Sequence, residues 1–135
     1  MRVEEFLRES ARRRPGKSAL VAGKLRPTFK DLDLASERLA ATVAAKGIGR
    51  GDRVVVFMDN CVEAVVAIFA TLKAGAVFSP VNPSTKSEKL AYILNNSGAS
   101  ALVTPVWMPP SVQVVSERLE RVIGCVHVSG LSMRR

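Results

Sequence analysis

The run Arg53 to Met58, RVVVFM, is apolar at every position after the first. Such a run suits a strand buried on both faces of a parallel sheet, where alternation between polar and apolar residues disappears. Ala76 to Val81, Ala99 to Thr104 and Val122 to Val128 repeat the pattern. Between these runs the apolar residues recur at intervals of three and four. Leu32, Ala35, Leu39 and Val43 form one such series, Val62, Val65, Val66, Phe69 and Leu72 a second, and Leu90, Ile93 and Leu94 a third. Val3, Phe6, Leu7 and Ala11 have the same spacing near the N-terminus, with charges on the other face. Helical periodicity of this kind predicts amphipathic helices that pack one stripe against the sheet.

Local signals set the boundaries. The first helix is expected over Val3 to Arg14, closed by Pro15-Gly16. Ala19 to Ala22 and Leu25 to Thr28, joined at Gly23-Lys24, read as a hairpin limited by Pro27. Thr28-x-x-Asp31, Asn60-x-x-Glu63 and Thr85-x-x-Glu88 have N-terminal capping spacing, while Gly47, Gly75 and the Asn95 to Gly98 cluster mark helix ends. Pro105 to Pro110 reads as a loop and Ser111 as the cap of a helix through Arg121. Strands alternating with helices predict an α/β fold with a parallel, Rossmann-like layered sheet and flanking helices.

The 135 residues, 47% of them hydrophobic and 24% charged, match one globular domain with a core of its own. The net charge of +8 raises the question of nucleic acid. Apart from Arg12, Arg13 and Arg14 and the terminal Arg134 and Arg135, the bases are scattered, and Trp107 and Tyr92 fall in different segments. That distribution fits a solvated basic surface and argues against a stacking platform for nucleic acid. Cys61 and Cys125 are far apart and in no metal or redox spacing, which points to the reducing cytoplasm. The N-terminus mixes acids and bases without a signal-peptide core, and the apolar stretch from Cys61 to Ala74 is too short to span a membrane.

Candidate chemistry is sparse. Gly47-Ile48-Gly49-Arg50-Gly51-Asp52 precedes a strand, whereas phosphate-binding glycines follow a strand and open a helix. His127 is the only histidine and lies on an expected strand. Cys61 is expected at a helix N-terminus, where a thiolate is favoured, but a buried, inert thiol is the commoner case. Ser10 and Ser18 lack a nucleophile elbow. No catalytic, cofactor-binding or metal-binding residue is assigned from this pattern.

Four segments carry a resemblance: Pro27 to Leu32 (PTFKDL), Gly47 to Val56 (GIGRGDRVVV), Asp59 to Ser84 (DNCVEAVVAIFATLKAGAVFSPVNPS) and Glu88 to Thr104 (EKLAYILNNSGASALVT). In this order they resemble the beginning of the AMP-forming acyl-CoA synthetases, within the AMP-dependent synthetase and ligase superfamily. The likeness runs from about Val3 to Thr104 and thins toward Val128, and the stretch from Leu72 to Pro80 is its most specific part. Cys61 departs from the Asn-Ser usual at that corner. The resemblance implies an incomplete N-terminal α/β piece over residues 1–128, followed by a basic tail at 129–135. It implies a parent reaction in which ATP and Mg²⁺ activate a carboxylic acid as its adenylate, which then forms a thioester with coenzyme A. The phosphate loop, the ribose-binding aspartate and the catalytic lysine of that family are expected beyond Arg135. On this reading the chain is a truncated product or retained fragment, inactive alone, with Val81 to Ser84 a corner of scaffold. Alternatives are a binding module that docks on a ligase chain and a small nucleic-acid-binding protein. Sheet surface left uncovered by so short a piece predicts self-association or a complementary ligase partner.

Overall fold

The computed structural model describes residues 2–21, 24–58, 61–105 and 124–128. Its elements run α1 (Val3–Arg13), α2 (Phe29–Ala45), β1 (Arg53–Phe57), α3 (Val62–Lys73), β2 (Val77–Val81), α4 (Ser87–Ser97), β3 (Ala101–Pro105) and β4 (Gly124–Val128). The four strands form one sheet in the order β2-β1-β3-β4. Every pairing is parallel, with Val55 opposite Ser79 on one side and Leu102 on the other. The expected α/β class and parallel sheet are therefore present.

β1 lies between two neighbours, and alternate residues along it enter different cores. Val54, Val56 and Met58 join Val43, Ile48, Ala67, Ala101 and Val103 on one face. Val55 and Phe57 join Leu90, Ala91, Leu94 and Leu102 on the other. Both faces of the strand are covered, which is why its sequence shows no alternation. A third cluster, Leu7, Leu32, Ala35, Val62 and Val66, joins α1, α2 and α3 outside the sheet.

α3 is thus covered from two directions. The expected stripe Val62, Val65, Val66, Phe69 and Leu72 supplies most of its contact with α1 and α2, through Val62, Val65, Val66 and Phe69. Its sheet side is built from small residues, with Ala67, Ala70 and Thr71 fully buried. Thr71 satisfies its hydroxyl there by donating to the Ala67 carbonyl at 2.8 Å.

Several boundaries differ from the sequence reading. The Thr28 cap forms as expected: Thr28 Oγ1 accepts from the Asp31 amide at 3.1 Å, and Asp31 Oδ2 accepts from the Thr28 amide at 2.9 Å. The other two caps do not. Cys61 is the N-cap of α3 and Lys86 that of α4, and neither makes a side-chain cap bond. Thr85 is held in the preceding turn instead, its amide donating to the Asn82 carbonyl at 3.0 Å; Asn60 lies outside the described residues. Of the expected hairpin, the described residues show an antiparallel bridge between Ser18 and Thr28 and a further bridge position at Leu25, while Ala22 and Gly23 at its turn lie outside them. β2 is the edge strand among the described residues, and it is not doubly buried either: no residue from Val77 to Val81 is fully buried and Val77 is 50% exposed. Pro80 sits within it, opposite Val56. On α1 only Leu7 and Glu4 are buried, while Val3 and Phe6 are each 59% exposed. Pro105 closes β3, and the expected loop and helix beyond it fall outside the described residues.

The helices are also joined by charge. Lys73, in the last turn of α3, has a side chain only 1% exposed, and its ammonium faces the Asp33 carbonyl at 3.0 Å, Asp33 Oδ1 at 2.7 Å and Glu37 Oε1 at 3.2 Å. Three acceptors match the three N–H donors of a lysine. Arg8 of α1 reaches Glu37 Oε1 at 3.0 Å from the other side. Burial pushes the Glu37 carboxyl up, but hydrogen bonds from Lys73 and Arg8 and their charges outweigh it and hold it below its ordinary value of 4.5.

Two outcomes follow for stability. Thr28→Ala removes the cap acceptor and should cost about 1 kcal/mol in urea unfolding, with Thr28→Ser losing less. A carboxyl whose folded pKa is depressed contributes stability above its unfolded pKa, and that contribution is lost as pH falls through the folded value. Glu37→Gln should therefore flatten the decline in stability on acidification from about pH 5 to pH 3. An unchanged slope would show that Glu37 is not held by its cations.

Candidate functional site

In open parallel sheets, ligands are placed outside the carboxyl ends of the strands, at the point where successive connections leave in opposite directions. Here β1 connects to β2 on one side while β3 lies on the other, so that point falls between β1 and β3. β1 ends at Phe57, followed by Met58 and, at the start of α3, Cys61; β3 ends in Thr104 and Pro105. Met58 and Thr104 are buried, and Cys61 is half-buried at the start of α3.

Helix N-termini favour anions and thiolates. At Cys61 other effects prevail. Burial pushes the thiol up from its ordinary value of 9.0, and hydrogen bonding and charge from Glu63 add to this, while the backbone amides of Ala64 and Glu63 pull in the opposite direction without reversing it. The balance disfavours the thiolate, the nucleophilic form of the group.

The other singled-out residues do not converge on this point. Ser10 borders a shallow depression of about 250 Å³ with Arg13, Arg14 and Lys17. Ser18 is in the bridge to Thr28. Cys125 and His127 are on β4, in register with Leu102 and Thr104. The glycine-rich segment turns α2 into β1: Gly47 and Gly51 have φ of 83° and 85°, and Asp52 Oδ2 accepts from the Gly49 amide at 2.8 Å. Its amides serve a turn at the amino end of the strand, opposite to the end where this fold places ligands.

A larger cleft of about 540 Å³ also opens at that amino end, bordered by Arg2, Glu4, Arg50, Leu72, Gly75 and Ala76. Lys73 reaches its wall, but the ammonium is engaged by Asp33 and Glu37. This ion group was not foreseen from sequence; Asp33 and Lys73 are forty residues apart and belong to different helices. Among the described residues, no three His, Cys, Asp or Glu side chains are grouped to hold a metal ion. None of their helices is long and apolar enough to cross a membrane.

The corner Val81 to Ser84 is built by local hydrogen bonds. Asn82 Oδ1 accepts from the Ser84 amide at 2.9 Å and from the Ser84 hydroxyl at 2.8 Å. The polar atoms of this turn hold the turn itself, as Asn and Ser do in such loops.

The Cys61 environment has a measurable consequence. In a Cys125→Ser background, iodoacetamide should alkylate Cys61 at pH 8 more slowly than it alkylates a free thiol of ordinary pKa, and Glu63→Gln should accelerate the reaction. Faster reaction than the free thiol would mean that the helix N-terminus dominates.

Comparison with known proteins agrees with this architecture. The family model described as AMP-binding enzyme matches residues 7–134. The chain is 43% identical over 98 residues to the phosphinothricin tripeptide synthetase PhsC of Streptomyces viridochromogenes, covering 73% of itself and 9% of that protein. It is 36% identical over 102 residues to bacitracin synthase 1 of Bacillus licheniformis, covering 76% of itself and 2% of the synthase. Among solved structures, a long-chain-fatty-acid-CoA ligase of Archaeoglobus fulgidus superposes with a TM-score of 0.82 at 27% identity, over 96% of this chain and 28% of that one. The N-terminal domain of FACL13 from Mycobacterium tuberculosis gives 0.84 at 25% identity, over 98% and 35%. The chain thus spans a small part of each of these relatives. It belongs to the AMP-binding enzyme family of adenylate-forming synthetases and carries part of the α/β fold of their N-terminal domain.

Proposed function

We propose that these residues act as the structural platform of an acid-activating ligase and do not catalyse adenylation by themselves. The observation that carries this reading is how the family-like stretch from Leu72 to Ser84 uses its polar groups. Lys73 is engaged inside the helix layer, and Asn82 and Ser84 close their own turn. These polar atoms are engaged within the fold.

The parent reaction on this reading has two steps. A carboxylate oxygen attacks the α-phosphorus of ATP and pyrophosphate leaves; the sulfur of coenzyme A then attacks the acyl carbon and AMP leaves. Mg²⁺ and backbone amides neutralise charge that develops on the phosphates in such chemistry. The glycine turn supports leaving phosphate binding out of this assignment, since it lies at the amino end of β1 and its amides close the turn. ATP, Mg²⁺ and coenzyme A are accordingly assigned to other parts of a complete ligase. The likeness to long-chain-fatty-acid-CoA ligases supports fatty acids as the parent substrates and a place in fatty-acid metabolism, and the peptide-synthetase likeness makes amino acids the competing class.

A second reading, a module that docks on a ligase chain, draws support from the open face of α1, where Val3 and Phe6 are exposed one helical turn apart. The two readings share the absence of intrinsic catalysis. With ATP, Mg²⁺ and a panel of fatty, aromatic and amino acids, the purified chain should give no pyrophosphate exchange above a protein-free control. Carboxylate-dependent exchange that survives repurification would overturn both.

A further inference from the structure

Among the described residues no strand pairs with the outer edge of β2, an arrangement that would ordinarily be a hazard. No charged residue lies between Lys73 and Lys86, and the strand reads VFSPV. An exposed, uncharged, β-prone edge is a template for pairing with another chain. Natural edges are usually guarded by charge, and this one has none.

The hydrogen-bond register shows what stands in its place. In a parallel ladder, the residues of a strand direct their N–H and C=O groups alternately to one neighbour and to the other side. The Val77 amide donates to the Asp52 carbonyl at 2.8 Å, so Val77 faces β1. The alternation then directs Ser79 and Val81 to β1 as well, and Phe78 and Pro80 outward. On the other side of β1, the Ser100 amide donates to the Arg53 carbonyl at 2.7 Å, which agrees with this parity. Pro80 therefore lacks its N–H on the outward side, where the β1–β2 ladder loses nothing and an incoming strand would lose a donor. Phe78 is left as the one outward-facing amide within the strand.

We propose that Pro80 guards the β2 edge, closing it to strand addition by a second copy of this chain. The guard is a missing donor and a ring in the path of an added strand, not a charge. Surfaces elsewhere, such as the α1 face, are unaffected by it.

The test compares the full chain with Pro80→Val by sedimentation velocity over a wide concentration range, together with amide hydrogen exchange. Pro80→Val should keep the wild-type circular dichroism and urea midpoint, since position 80 makes no bond to β1. Its weight-average mass should rise with concentration to about twice the wild-type value or more. The Phe78 amide, fast-exchanging in the wild type, should become protected as that mass rises. Ser79→Pro, at an inward-facing position, should instead destabilise the fold. The proposal is overturned if Pro80→Val sediments like the wild type, if it associates while Phe78 remains unprotected, or if it fails to fold.

Discussion

Every side chain of β1 after Arg53 must be covered by protein, and the rest of the architecture meets that demand. Val54 and Val56 point into one layer, Val55 and Phe57 into the other, and all four are essentially inaccessible to water. At roughly 1.5–3 kcal/mol for each fully buried large apolar side chain, leaving either face bare would remove much of the few kcal/mol that separate a folded domain of this size from its unfolded chain. Parallel neighbours supply the flanks, and the crossover connections that parallel pairing requires bring α3 to one face and α4 to the other.

α3 is the element most constrained by this arrangement. Its sheet side needs small residues, its outer side must meet α1 and α2, and its last turn carries a lysine almost wholly shielded from water. Asp33 and Glu37 satisfy that lysine, and their own partial exposure limits the desolvation cost of the group. The segment that most resembles the ligases is thus occupied with joining layers. That is the physical basis for the proposed platform role: the polar groups of Lys73, Asn82 and Ser84 hold helices and turns together.

Much of the fold was legible in sequence. The runs at β1 and β3 lack alternation because both faces are buried, and the glycines that precede them hold each run to the length of a strand. The Thr28–Asp31 cap was legible because both partners lie within one helical turn. The Thr85 cap fails for a related reason: its spacing to Glu88 is right, but Asn82 and Pro83 create a turn that claims the Thr85 amide first, so α4 starts later. The edge position of β2 was not legible, since strand order depends on the direction of each crossover and not on local composition. Composition alone made VFSPV look buried, whereas the structure exposes Val77 and makes Pro80 compatible with the strand. At the candidate site, the glycine turn could be set aside in advance because it precedes β1. The Lys73 group was out of reach, because it depends on the packing of helices distant in sequence.

If β1 organises the fold while β2 is its bonded but uncharged margin, native-state amide exchange will show it most directly. The amides of Val54 to Phe57 are predicted to exchange slowest, at the rate set by global unfolding. Protection should alternate along β2, with Val77, Ser79 and Val81 protected and Phe78 fast. Exchange of β1 as rapid as that of β2, or uniform protection along β2, would contradict this organisation.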